Sequence, residues 1–210
     1  VMELPDLFRI IRMRGIYMQE AYPEGGAMAA VLGLDGDIVA KICEQTAEET
    51  GKVVSVANYN CPGQIVITGE ADAVAAASEA LKEAGAKRCI PLKVSGPFHS
   101  ALLKNAGEQL AEELKSVKLS TPWIPYVSNV TADYVTDASQ VAELLKQQVS
   151  SPVHFTQSIE RMIADGVDTF IEIGPGKTLS SFVRKIDRNV KVYNIEKPED
   201  LARVMEELVC

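Results

Sequence analysis

Between Ala27 and Val94 the apolar residues switch back and forth between a strand-like and a helix-like repeat, and that switching limits the folds open to the chain. Ala27 to Leu34 reads as a strand, and Asp35 to Glu49 as a helix with Ile38, Ile42 and Cys43 on one face. Val53 to Asn58 is a second strand, and a turn holding Pro62 and Gly63 leads to a third, Gln64 to Thr68. An alanine-rich helix, Ala71 to Ala84, stops at Gly85, and Lys87 to Val94 is the last strand. The order βαββαβ is that of the split ferredoxin-like unit, and residues 27–94 suffice for it.

The flanks have a different rhythm. Leu4 to Ala21 reads as a helix with Pro5 in its first turn, and Leu4, Leu7, Phe8, Ile11 and Met18 predict its buried face. Past residue 99 the predicted order is helix (Ser100–Ser116), strand (Ile124–Val130), helices (Gln140–Val149 and Phe155–Ala164), strand (Thr169–Ile173), helix (Thr178–Ile186), strand (Val190–Ile195) and helix (Pro198–Leu208). Strands alternating with helices predict a parallel sheet. The expected fold class is α/β: a large unit from residues 1–26 and 95–210, with residues 27–94 inserted as a small one. A chain of 210 residues is long enough to bury such a core.

Net charge is −8, which argues against non-specific nucleic-acid binding. An acidic partner would need a local basic patch; Lys177, Arg184, Lys185 and Arg188 form the candidate, with a solvated helix face as the plainer reading. No apolar run approaches the roughly 20 residues of a membrane span. The four cysteines, Cys43, Cys61, Cys89 and Cys210, form no C-x-x-C pair, and the two histidines lack metal-ligand spacing, so no metal site is expected. Free thiols in a cytoplasmic setting fit this pattern. Val1 enters a helical pattern almost at once, without a basic-then-apolar leader, and is expected to be a cut end of a longer chain.

His99 stands behind the Gly96–Pro97 turn, between a predicted strand and a predicted helix, where α/β folds place functional groups. An imidazole there can take and return a proton near neutral pH; a capping histidine is the alternative. A nucleophile is harder to find. No G-x-S-x-G elbow occurs, Ser95 and Ser100 lack that context, and Cys61 has no positive neighbour in sequence to form a thiolate. "GPGKTL" is not a phosphate loop, since Ile171 stands where the first glycine belongs; it reads as a strand-to-helix turn with exposed backbone N–H groups. Arg14 lies on or beside the predicted buried face of its helix, where a guanidinium calls for an anionic partner; an ordinary surface arginine is the alternative.

Taken together, "RGIYMQEAYPEGGAMAAVLGL", "VANYNCPGQIVITGE", "AGAKRCIPLKVSGPFHSALLK" and "FIEIGPGKTL" closely resemble the malonyl-CoA:acyl carrier protein transacylases of fatty-acid synthesis, over about Leu4 to Arg188. The resemblance implies an α/β-hydrolase-like domain with a ferredoxin-like insert. It implies a ping-pong route in which a serine on a G-H-S-x-G elbow attacks malonyl-CoA and then yields the acyl group to the phosphopantetheine thiol of acyl carrier protein, with no further cofactor. His99 matches the base of that route, and Gln148, or its neighbour Gln147, the residue whose backbone carbonyl orients it. Arg14 matches the arginine that grips the malonyl carboxylate. Phe98 matches a position tied to malonyl selection, and Asn58 and Gln64 fall in cleft-lining segments. The elbow and an oxyanion loop precede the Arg14 helix in the family and are not in these residues. The expectation is therefore that the polypeptide alone is inactive, with a companion segment supplying the serine. A non-catalytic module that binds acyl groups or the carrier is the alternative.

Overall fold

The computed structural model describes residues 1–94 and 96–209; Ser95 and Cys210 lie outside the described residues. The chain runs α1 (Leu4–Ala21), β1 (Gly26–Leu32), α2 (Gly36–Thr50), β2 (Val54–Cys61), β3 (Gln64–Glu70), α3 (Ala71–Glu83) and β4 (Arg88–Pro91). It continues through a short 3-10 turn, Ala101–Leu103, into α4 (Lys104–Leu114), β5 (Tyr126–Val127), β6 (Tyr134–Val135), α5 (Ala138–Gln148) and α6 (Phe155–Ala164). β7 (Thr169–Ile173), α7 (Thr178–Ile186), β8 (Lys191–Ile195) and α8 (Pro198–Val209) complete it, a mixed α/β chain.

Strands β1 to β4 form one antiparallel sheet in the order β2-β3-β1-β4. Alternation along each strand sends its side chains to opposite faces. One face carries Ala29, Val31, Val56, Ile65 and Ile67, buried beneath α2 and α3 by Val39, Cys43, Val74 and Leu81. The other carries Met28, Ala57 and Val66, with Phe98 packed against them. Both ends of α2 have a local cause: Asp35 accepts from the Asp37 amide to start it, and Gly51, at φ 67°, ends it.

A second core joins α1 to α4, with Ile10 and Met18 against Leu103, Ala106, Leu110 and Leu114. The buried face of α1 is thus only partly the expected one: Met18 is buried, but most of the expected stripe turns outward. Phe8 and Ile11 are 69% and 58% exposed, and Leu4 is exposed as well. Two neighbouring apolar stripes run along this helix, and α4 covers the Ile10–Met18 stripe. The strand expected over 124–130 shrinks to β5, which pairs only with β6. Pro122 and Pro125 remove backbone donors there, and Trp123 stands 87% exposed. Parallel pairing occurs, among the described strands, between β7 and β8, from Thr169–Lys191 to Ile173–Ile195. β4 stops at Pro91, short of the expected Val94. Among the described residues no helix is long and apolar enough to cross a membrane.

Candidate active site

The turn Gly96–Pro97–Phe98–His99 is pinned from two sides. Gly26, the first residue of β1, leaves room for it: a Cβ at Gly26 would stand 2.4 Å from Pro97 Cδ and 2.6 Å from Pro97 N. Ser100, buried, donates its hydroxyl to the Pro97 carbonyl at 2.6 Å. Between these anchors His99 adopts φ 62°, a left-handed conformation that costs a non-glycine residue roughly 1–2 kcal/mol.

His99 Nδ1 lies 3.0 Å from the backbone carbonyl oxygen of Gln148, at the end of α5. A carbonyl only accepts, so this bond places the proton on Nδ1 and leaves the Nε2 lone pair free, the tautomer of a general base. Burial pushes the imidazole's pKa below its ordinary value, opposed by the backbone of Gln148 and Ser151 and assisted by the nearby Arg14 charge. The contact falls on Gln148, whereas Gln147, exposed, bonds Glu143 at 2.8 Å.

Arg14, Asn58, Phe98 and His99 line one open cavity of about 400 Å³, whose walls also include Met18, Gln19 and Met28. Burial lowers the pKa of Arg14, yet a guanidinium keeps its proton under any physiological condition. Among the described residues no carboxylate pairs with it. A positive fork and a neutral base thus face one cleft with apolar and amide walls, a combination suited to a small acyl group ending in a carboxylate. Met18 and Gln19 follow Arg14 and Gly15 at helical i+4 spacing, the signal that would have found them.

Other expectations fall outside this cavity. Gln64 does not line it: at the hairpin end of β3 it pairs with Cys61, and its side chain accepts from Lys185 at 3.3 Å. Cys61 is buried, and burial raises its thiol pKa, which nearby Lys185 only partly offsets, so a thiolate is disfavoured. The basic residues around α7 do not share one aim, since Arg184 donates to the Val192 carbonyl at 2.8 Å while Lys185 reaches Gln64. Nor are the amides of the "GPGKTL" turn all open. The Glu172 carboxylate on β7 accepts from Leu179 N at 3.1 Å and Ser180 N at 2.7 Å, closing the first turn of α7.

Residues 2–199 match the model of the acyl transferase domain family. The malonyl CoA-acyl carrier protein transacylase of Bacillus subtilis is 48% identical over 204 residues, covering 97% of this chain and 64% of the relative. An acyl carrier protein S-malonyltransferase from Vibrio cholerae superposes with a TM-score of 0.94 at 40% identity, over 97% of this chain and 66% of that one. A malonyl-transacylase solved in complex with its type II PKS acyl-carrier protein gives 0.91 at 38% identity, over 95% and 64%. The chain therefore spans a little under two thirds of the length of these relatives. On the family model, the identities and the superposition together, this chain belongs to the acyl transferase domain family and, within it, to the malonyl-CoA:acyl carrier protein transacylases.

Proposed function

We propose that this chain serves the transfer of a malonyl group from coenzyme A to the phosphopantetheine thiol of acyl carrier protein. The observation that carries the reading is the convergence of Arg14 and a base-form His99 on one cavity. In this reading Arg14 holds the malonyl carboxylate through two charge-assisted bonds, with Phe98 and Asn58 shaping the cleft. His99 Nε2 takes the hydroxyl proton of a serine as its oxygen attacks the thioester carbonyl, then gives it to the departing coenzyme A sulfur. The carrier thiol reverses these steps: it loses its proton to His99, takes the acyl group, and the serine oxygen recovers the proton. The Gln148 carbonyl holds the tautomer throughout. Gln64, which accepts from Lys185 outside the cleft, has no part in this reading. Docking of the carrier at Lys177, Arg184, Lys185 and Arg188 belongs to the same reading, as the contact an acidic partner would make with a basic patch.

The architecture accompanying this reading is an α/β-hydrolase-like unit, residues 1–26 and 95–210, carrying residues 27–94 as a ferredoxin-like insert. No G-x-S-x-G occurs in the 210 residues. The nucleophile is accordingly assigned outside them, and these residues alone bind the thioester without becoming acylated. A binding module without chemistry is the second reading, favoured by the absence of serine, threonine or cysteine from the cavity lining among the described residues. Calorimetric titration with malonyl-CoA and acetyl-CoA tests the proposal. Malonyl-CoA is expected to bind about tenfold or more tighter, and Arg14→Met to abolish the difference. Equal binding of the two thioesters sinks it. Covalent malonyl incorporation, read by intact mass, would overturn the assignment of the nucleophile.

A further inference from the structure

Arg14 has no carboxylate partner among the described residues, so its aim is set by the helix that bears it. That helix, α1, rests on α4 through Ile10, Met18, Leu103, Leu110 and Leu114. Apolar contact of this kind is non-directional and leaves a helix free to slide or roll by small amounts. A polar contact removes that freedom here. The Glu113 carboxylate on α4 accepts from Arg9 Nη1 at 2.5 Å on one oxygen and from the Tyr17 hydroxyl at 2.8 Å on the other.

Arg9 and Tyr17 stand about 12 Å apart along the helix axis at 1.5 Å per residue, with Arg14 between them. Sliding α1 in either direction stretches one arm, and rolling it strains both. Arg9 is tied further to Ser116 Oγ at 2.9 Å, just past the end of α4. The bond to Glu113 also raises the phenol pKa of Tyr17, which keeps the hydroxyl a donor across the neutral range. The Arg9 and Glu113 side chains remain 38% and 30% exposed, so the pair adds little to stability by itself. Its geometry is what matters, because α4 begins five residues after His99 and α1 carries Arg14.

We propose that Glu113 is a positioning residue: by holding Arg9 and Tyr17 at once it fixes α1 on α4, and so sets Arg14 against His99. The proposal rests on the reading of Arg14 and His99 as one site, and its test separates the two. The chain's two histidines allow an NMR titration without ligand, with His154 as internal control. Deleting the Glu113 charge would by itself lower the His99 midpoint, whereas release of Arg14 raises it, so the sign decides. Glu113→Ala is expected to raise the His99 midpoint by about 0.3 pH unit or more, with His154 unmoved, and to raise it no further in an Arg14→Met background. Tyr17→Phe, which deletes one arm and no charge, should give a smaller rise of the same sign, and it decides the matter if Glu113→Ala does not fold. An unchanged or lower midpoint in these variants, or the same rise without Arg14, overturns the proposal. Glu113→Ala should also weaken malonyl-CoA about fivefold and leave acetyl-CoA unchanged, and a loss shared equally by both thioesters overturns the proposal. Wild-type protein that binds both thioesters alike sinks the malonyl reading instead, and the ligand-free titration still decides the positioning role.

Discussion

The backbone carbonyl of Gln148 meets His99 Nδ1 at 3.0 Å although the residues are 49 positions apart, and His99 reaches it from a left-handed backbone conformation. Strain at this position has a measurable consequence. Glycine pays no steric penalty at φ 62° and alanine does. His99→Gly should therefore be more stable than His99→Ala by about 1 kcal/mol in urea denaturation. The opposite order would mean that the turn relaxes freely once the imidazole is gone.

Burial lowers the pKa of His99 below the ordinary 6.5, so the folded protein holds fewer protons at this group than the unfolded chain does. The stability tied to the neutral ring is whole above the unfolded value and drains away as pH falls below it toward the folded value. Between about pH 7.5 and 5, wild type should lose more stability than His99→Ala, as read from urea midpoints.

Gly26 is a packing requirement of the site. A methyl group there would meet Pro97 at 2.4 Å, with backbone atoms close behind, so either β1 or the His99 turn must move. Gly26→Ala should cost about 1–3 kcal/mol and shift the His99 NMR signals. Gly51→Ala is the comparison: nothing lies within 4 Å of its Cβ, and its cost should come from its positive φ alone, leaving His99 unmoved.

What could be read from the sequence follows the range of the interactions. The elements of β1 to β4 were legible because period and turn chemistry are local, and the βαββαβ order is the one observed. Arg14 and His99 were legible as residue types in telling places. The orientation of α1 was legible at Met18 alone, since Leu4, Phe8 and Ile11 recur at the same helical spacing as Ile10, and only α4 decides between the stripes. Whether Gln147 or Gln148 orients His99 depends on where the last turn of α5 stops, because the contact is made by backbone. Glu113 was invisible for a similar reason, as its partners lie 104 and 96 residues away.

Glu172 caps α7 from the neighbouring strand, and the cap can be removed singly. Burial works against its charge, but the Ser180 and Leu179 groups outweigh this and hold the carboxyl below its ordinary value. The stability it supplies is present above the unfolded carboxylate pKa and is lost as pH falls through the folded one. Glu172→Gln keeps the size and loses the charge, and it should cost about 1 kcal/mol at pH 7, with a smaller difference from wild type at about pH 3. A constant difference across that range would show that the amides of Leu179 and Ser180 do not depend on the carboxylate.

Thr68 lies fully buried in β3, opposite Met28, and its hydroxyl has no hydrogen-bond partner among the described residues. The strand alternation puts it on the face shared by Met28 and Val66, beneath the cavity that Arg14 and His99 line. An unmet buried hydroxyl costs roughly 1–3 kcal/mol, and valine has nearly the same shape without it. Thr68→Val should therefore raise stability by about 1 kcal/mol, seen as a higher urea midpoint with an unchanged slope. Malonyl-CoA affinity should stay within about twofold of wild type, because the hydroxyl does not line the cavity. A destabilised Thr68→Val protein would instead show that the Thr68 hydroxyl is satisfied in solution.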